Sequence, residues 1–317
     1  MIQTNPNLPP LPEILFGLQK IIDDPDCEVE DVYRLIKTDP VLSGRLITLA
    51  NSALFGTGRE EPRNLQDAVV RLGMKQVMDL VYALELPKTF KKSKAFDQIE
   101  FWKHSMAVAF ITRSLAKKVL SDLDDLESSF LAGLMHDVGI LVFDNIIPKE
   151  YFNFLTLKDL SASDKPLQLL EEEEFGITHP EVGAEFMKKW WSLPPKVASA
   201  ALTHHGKRPV KGEPLTLSQV VSISNCIANM NEFAHPVTTA FEDSPEEGYL
   251  DALEISQEEL DVVVDTTVIG LMAAETLLRS RWEEPGLPNR VIASCTSFYL
   301  IRGMRDTLFI NLHALQG

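Results

Sequence analysis

The sequence predicts an all-α protein, and three observations lead there. Apolar residues recur at 3.6-residue spacing from one end of the chain to the other. Runs with the alternation and β-branched content of strands are scarce. Prolines, glycines and Ser/Thr-x-x-Glu patterns fall where the periodic stretches begin and end, as helix boundaries require.

Taken in order, the Pro-rich opening Leu8-Pro-Pro-Leu-Pro12 leads into a helix carrying Ile14, Leu15, Leu18 and Ile22, which Asp24-Pro25 stops. Short helices follow at 28–37, 40–51, 64–72 and 74–86, punctuated by Asp39-Pro40, Phe55-Gly-Thr-Gly58 and Gly73. Asn51-Ser52 reads as a helix end. These elements make an N-terminal helical lobe, residues 1–95, and the basic stretch Lys88 to Lys94 connects it onward.

A second helical lobe spans 96–232. Its helix over 98–119 places His104, Val108, Ile111 and Leu115 on one core-facing side, with Glu100 one turn earlier on the same face. The next helix, Phe130 to Phe143, is apolar except for His136-Asp137 in its middle. The run Glu171 to Glu174 reads as a solvated face, without chemistry. Thr178-His-Pro-Glu181 has the form of a capping box, so His179 stands at a helix entrance. The following helix ends at His204-His205-Gly206, with Gly206 as the expected C′ residue. Trp190-Trp191 reads as packing. Residues 233–255 form an expected loop or linker, and 256–317 a C-terminal helical region opened by Ser256 and Glu259. His235 and His313 are read as loop or surface residues.

Composition narrows the function. At 317 residues with 45% hydrophobic content, the chain is long enough for about two domains and can fill real cores. A formal net charge of −16 argues against a phosphate-binding surface and so against direct nucleic-acid binding. No signal segment opens the sequence, and no apolar run reaches the ~20 residues of a membrane span, so a soluble cytoplasmic protein without membrane contact is expected. Cys27, Cys226 and Cys295 are widely spaced and form no CxxC, so any metal must be held by His and carboxylate.

Asp137 carries the chemical signal. A carboxylate within an apolar helix is desolvated on folding, at a cost of several kcal/mol unless a cation or strong donors face it. The other histidines in or at the ends of predicted helices, His104, His179, His204 and His205, are the candidates. Imidazoles with a carboxylate suit first-row divalent ions, and a pair of such ions can activate water against a phosphoester. A buried His–Asp hydrogen-bond network that fixes helix packing is the competing account.

The ordered series Leu8-Pro-Pro-Leu-Pro12, Asp39-Pro-Val-Leu42, Leu49-Ala-Asn-Ser-Ala53, Ala68-Val-Val-Arg-Leu-Gly73, Phe101-Trp-Lys-His104, Ala132-Gly-Leu-Met-His-Asp137, His179-Pro-Glu-Val-Gly183 and Trp191-Ser-Leu-Pro194 resembles the HDOD family, the HD-related output domain of bacterial signalling proteins. The resemblance implies two helical lobes and a regulatory, signal-transducing role, for which the family has no generally established enzymatic activity. Carried over by position, it implies a metal ligand set of His104, His136, Asp137, His179, His204 and His205, suited to Fe, Mn, Ni or Zn. The set departs from the metal-binding HD enzymes at Asn225, where they place an Asp. Ile140 stands where the HD-GYP phosphodiesterases have a Lys, and His204-His-Gly-Lys-Arg-Pro209 lacks their Gly-Tyr-Pro element. The resulting expectation is a catalytically inactive regulatory module with a vestigial metal site, a protein partner in a signalling pathway, and a phosphorylated small molecule as a further candidate ligand. A metal-dependent phosphohydrolase is the alternative.

Overall fold

Fourteen α-helices and no strand are found among the described residues of the computed structural model, which are 8–22, 24–52, 61–157, 160–231, 233–237, 239 and 250–282. The expected Phe55-to-Gly58 turn, residues 238 and 240–249 of the 233–255 loop and everything from 283 onward, His313 included, lie outside them. The chain divides into a unit of residues 1–278 and a second of residues 279–317; the elements that build the site belong to the first.

The N-terminal helices are set by local chemistry. α1 (Glu13–Ile22) follows the prolines and buries Leu15 and Leu18. α2 (Val29–Ile36) is opened by reciprocal Glu28 and Asp31 hydrogen bonds, and α3 (Pro40–Ala50) by Asp39, whose carboxylate accepts the N–H groups of Val41 and Leu42. Asn64 caps α4 (Leu65–Leu72), and Gly73, at φ 77°, turns the chain into α5 (Met74–Glu85). α5 packs on α1, α3 and α4 on one side and on α7 (Leu123–Met135) on the other, which is why every residue from Val77 to Glu85 is buried.

α6 (Gln98–Val119), capped by Asp97, packs against α7 and α13 (Leu217–Met230). α8 (Val138–Ile146) lies on α11 (His179–Lys189), and α12 (Pro195–Thr203) lies between α11 and α7. α9 (Pro148–Leu157), α10 (Leu167–Phe175) and α14 (Gln257–Trp282) complete the set. Capping boxes at Thr178/Glu181 and Thr216/Gln219 open α11 and α13, and Ser256 with Glu259 opens α14.

Two close approaches explain the glycines around the His-Asp pair. A Cβ on Gly133 would stand 2.8 Å from the Cα of Ala109, so only glycine lets α7 press this tightly on α6. A Cβ on Gly139 would stand 1.9 Å from the carbonyl oxygen of His179. No side chain fits there, and its absence brings the start of α11 against the start of α8. Further out, Trp190 and Trp191 both donate their indole N–H to the Pro9 carbonyl at 3.0 Å, while Trp191 packs on Phe186 and Phe90. The Pro-rich opening is thereby tied to the end of α11.

Three local expectations are corrected. His136-Asp137 does not lie within one helix: α7 ends at Met135, α8 begins at Val138, and the two axes meet at 42°. The side chain of His136 bonds the Gly133 carbonyl at 2.8 Å, competing with the helical backbone for that acceptor. Gly206 does not adopt the left-handed conformation of a C′ glycine; it is required because a Cβ there would meet the Thr203 carbonyl oxygen at 2.8 Å. Glu100 stays half-exposed beside Lys103 rather than joining the core face of α6. No single helix among the described residues is long and apolar enough to cross a membrane, and the apolar stretch of α7 and α8 is buried in the core.

Candidate metal centre

Three helix ends build the site. His136 and His204 are the C-cap residues of α7 and α12, and each places its Nδ1 on the carbonyl three residues back, Gly133 at 2.8 Å and Ala201 at 2.6 Å. This arrangement satisfies one terminal carbonyl of each helix and turns each Nε2 inward. The negative ends of α7 and α12 meet the positive starts of α8 and α11 here, so the preference for a cation is set by the side chains rather than by the helix dipoles. His179 enters as the first residue of α11, and His104 from the middle of α6.

Asp137 is the centre, with its carboxylate shared. Oδ2 lies 2.9 Å from His136 Nε2, and Oδ1 lies 3.2 Å from His204 Nε2 and 3.4 Å from His179 Nε2. His179 Nε2 is in turn 3.2 Å from His205 Nε2. Two donors on one ion at ~2.1 Å stand roughly 3.0–3.5 Å apart, which is the spacing seen here. Two groups of donor atoms, each drawn together within 4.8 Å, result: Asp137, His179, His204 and His205, and His104, His136 and Asp137. The structure therefore brings together all six residues that the sequence singles out.

The tautomers make the case for a cation. With Nδ1–H donated to Phe233 O (2.6 Å), Gly133 O and Ala201 O, neutral rings of His104, His136 and His204 carry only a lone pair on Nε2. Those three Nε2 atoms and Oδ1 of Asp137 are buried without a hydrogen-bond partner. Lone pairs converging on a carboxylate repel unless something positive lies between them. Protons are a poor answer, because burial, reinforced by neighbouring rings, pushes His104 and His205 well below the ordinary imidazole value of 6.5 and His204 also below it. Burial alone would raise Asp137, but His136, His179 and His204 outweigh it and hold the carboxyl well below the usual range. An ionised aspartate faced by the depressed imidazoles of His104, His204 and His205 fits a divalent metal.

Two members of the site escape the sequence reading. Glu171, assigned to a solvated acidic run, is fully buried. Its Oε2 accepts from His179 Nδ1 at 2.6 Å and from the His179 backbone N–H at 2.7 Å, and its Oε1 accepts from Tyr151 at 2.8 Å. Against the cost of burial, Glu171 first and Asp137 next raise His179 to about 10. A carboxylate behind a ligating imidazole is the arrangement that fixes tautomer and raises donor strength in metal sites. The available signal was spacing: Leu167, Leu170 and Glu171 share one helical face, whereas Glu172, Glu173 and Glu174 are exposed.

His235 is the second correction. Read as a loop or surface residue, it is buried, with Nε2 3.7 Å from Asp137 Oδ2 and its ring edge-on to His104 at 4.9 Å. No periodic pattern surrounds it, so the sequence held no signal. Asn225, by contrast, is half-buried at the rim with Asn229. The cavity over the cluster holds only about 20 Å³ and is walled by Ile140, Leu167 and Val237 along with the polar groups. That space suits one or two waters, since a water needs ~10–15 Å³.

An all-helical protein with an imidazole ring around a kink-borne aspartate is the class these features define. Residues 8–207 match the HDOD domain, and the chain belongs to the HDOD family. A protein of Treponema pallidum (strain Nichols) is 26% identical over 220 residues, covering 69% of this chain and 42% of its own length, so the chain spans less than half of that relative. An HDOD domain protein from Geobacter sulfurreducens superposes with a TM-score of 0.62 at 25% identity, over 86% of this chain and 89% of that one. A candidate phosphohydrolase, by name, from Shewanella amazonensis gives a TM-score of 0.56 at 25% identity, over 87% and 94%.

Proposed function

We propose that this protein is an HDOD-type signal-transduction module whose His–Asp cluster holds a divalent transition metal as a structural or sensing element and performs no hydrolysis. The observation that carries this reading is the set of buried Nε2 lone pairs converging on Asp137 beneath a cavity of about 20 Å³. The donors fit Fe, Mn, Ni or Zn, with imidazole nitrogens favouring Zn, Ni and Fe over Mn. His104, His136, Asp137, His179, His204 and His205 are the ligands. Bound metal would supply a fixed positive charge that locks α6, α7, α11 and α12 together, and Ile140 offers a substrate phosphate no charge.

The module's output is contact with a protein partner in a signalling pathway, from a chain acting in the cytoplasm without nucleic-acid or membrane binding. The net charge of −16 supports the nucleic-acid part. Residues 1–95, 96–232, 233–255 and 256–317 are the proposed division. It is supported by the packing of α1 to α5 among themselves and of α6 to α8 with α11 to α13. A phosphorylated small molecule finds little in the cleft of about 430 Å³ between α1, α5, α7 and Ser192 to Val197, because Lys75 there is paired with Asp79 and Lys196 with Asp125.

The second reading is a metal-dependent phosphohydrolase, favoured by the donor set itself and by the name of the Shewanella structure. Element-resolved metal analysis of the purified, untagged protein tests the first step of both. At least one equivalent of a transition metal, lost in His136→Ala/Asp137→Ala, is expected; an unchanged content in that double variant would place the metal elsewhere.

A further inference from the structure

We infer that His235 is a metal ligand, completing with His104, His136 and Asp137 a second, nitrogen-rich metal position beside the one formed by Asp137, His179, His204 and His205. The inference rests on the metal reading above and adds to it a residue from beyond the stretch that matches the family, residues 8–207.

Position is the first argument. The His104–His136–Asp137 group has three donors, one short of the four that a tetrahedral ion requires. Asn225, where the metal-binding HD enzymes that the sequence resembles place an Asp, carries a neutral amide. His235 Nε2 stands 3.7 Å from Asp137 Oδ2, too long for a hydrogen bond and just beyond the roughly 3.0–3.5 Å of two donors on one ion; it lies outside the 4.8 Å that gathers His104, His136 and Asp137, so its ring closes on the ion as the ion binds. It is buried and has no protein partner.

Orientation is the second. Val237 offers His235 Nδ1 both its carbonyl oxygen, at 2.8 Å, and its own N–H, at 3.0 Å. Ligation by Nε2 takes the Nδ1–H tautomer, which the Val237 carbonyl accepts, in place of the one that accepts from the Val237 N–H. Phe101 fixes the ring edge-on at 5.2 Å and His104 at 4.9 Å. The backbone is held as well: His235 N–H donates to Asn229 Oδ1 at 3.0 Å, and Asn229 Nδ2 reaches Asn225 Oδ1 at 3.4 Å. The amide at 225 thus serves, through Asn229, to seat the segment whose imidazole takes the place of the missing carboxylate.

Chemistry is the third. Exchanging a carboxylate for an imidazole leaves one protein anion, Asp137, between two positions otherwise lined by nitrogen. Imidazole suits Zn, Ni, Cu and Fe, whereas Mg and Mn want oxygen. The second position therefore selects the borderline ions and rejects Mg²⁺.

Metal-free protein, prepared with a chelator and reloaded with Zn²⁺, Co²⁺ or Mg²⁺, tests this by bound metal per chain after desalting, with circular dichroism as the check on folding. Wild type is expected to retain two Zn²⁺ or Co²⁺ and no Mg²⁺, and His235→Ala to retain one. Should His235→Ala lose its helical signal, His235→Gln is read in its place. Asn229→Ala is expected to keep two ions but to weaken the second about 10–100-fold, as for other residues that orient a ligand. Two ions in both wild type and the His235 variant, or one in both, overturns the role of His235 and leaves the first metal position standing. No retained ion in wild type overturns both.

Discussion

Glu171 holds His179 twice, through the ring at 2.6 Å and through the backbone N–H at 2.7 Å, and so fixes it by a carboxylate where His104, His136, His204 and His235 place Nδ1 on a backbone carbonyl. With a metal on Nε2, His179 would donate its Nδ1–H to this carboxylate, which strengthens Nε2 as a donor. Glu171→Gln is expected to keep the fold and to weaken zinc binding at the Asp137–His179–His204–His205 position about 10–100-fold. Competition titration against a coloured chelator measures it; unchanged affinity would remove Glu171 from the site. Glu171→Ala, which leaves His179 and Tyr151 facing a void, should also cost about 3–5 kcal/mol of stability in urea unfolding.

Gly139→Ala probes the approach of α8 to α11. The new methyl would fall 1.9 Å from the His179 carbonyl, so the helices must separate. A loss of about 3 kcal/mol, at the upper end of overpacking costs, is expected in urea unfolding, together with loss of bound metal. A variant that unfolds at the wild-type midpoint with its metal intact would show that the two helices are not held at this distance.

The stability of chelated protein should peak near pH 6.5. Burial pushes His235 down to about 4 and lowers His104, His204 and His205 as well. Below 6.5 the unfolded chain takes up protons that these folded rings refuse, so stability falls as pH drops towards 4. His179 acts with the opposite sign: held at about 10 in the fold, it contributes stability that is complete below 6.5 and is lost as pH rises to 10. Urea midpoints measured from pH 4 to 10 give the profile. Zinc should erase the alkaline arm, because a ligating His179 no longer carries the second proton; an alkaline arm that survives zinc would exclude His179 as a ligand.

Turnover of nucleotide monophosphates, cyclic dinucleotides and generic phosphodiesters with Mn, Fe, Mg or Zn is expected to stay at background. The buried Ile140 offers a phosphate no charge, and Asn225 supplies none to a metal. Asn225→Asp, alone or with Ile140→Lys, is the gain-of-function counterpart. Robust hydrolysis by the unmodified protein that vanishes in His136→Ala would make the phosphohydrolase reading the better one.

Removing the metal should lower the unfolding temperature measurably. A ligand at 1,000 times its dissociation constant adds about 4 kcal/mol to folding. His136→Ala/Asp137→Ala should unfold at the same temperature with and without chelator, since it has nothing to lose. A chelator-dependent shift in that variant would locate the stabilising ion outside the cluster.

The helices and most of the cluster were legible in the sequence because their determinants are local. Periodicity marks α1 to α6, and reciprocal caps mark the entrances of α11 and α14. His104 declares its burial through Val108, Ile111 and Leu115 on the same face. The order of His136-Asp137, His179 and His204-His205 further exposed the family. What the sequence could not decide depends on long-range packing. Glu171 looks like one carboxylate of four until α10 meets α11 and Tyr151 closes over it. His235 sits in a segment without periodicity, and only the anchoring of that segment by Asn229 and Val237 carries its ring to Asp137. The break at His136-Asp137 was equally hidden, because an apolar run reads as one helix whether or not a side chain takes up the carbonyl of Gly133. Local patterning fixes which residues are helical and which faces are apolar; the distances among six imidazoles and two carboxylates arise where separate helix ends and a loop converge, and those are set by contacts such as Gly139 against His179 that no single segment encodes.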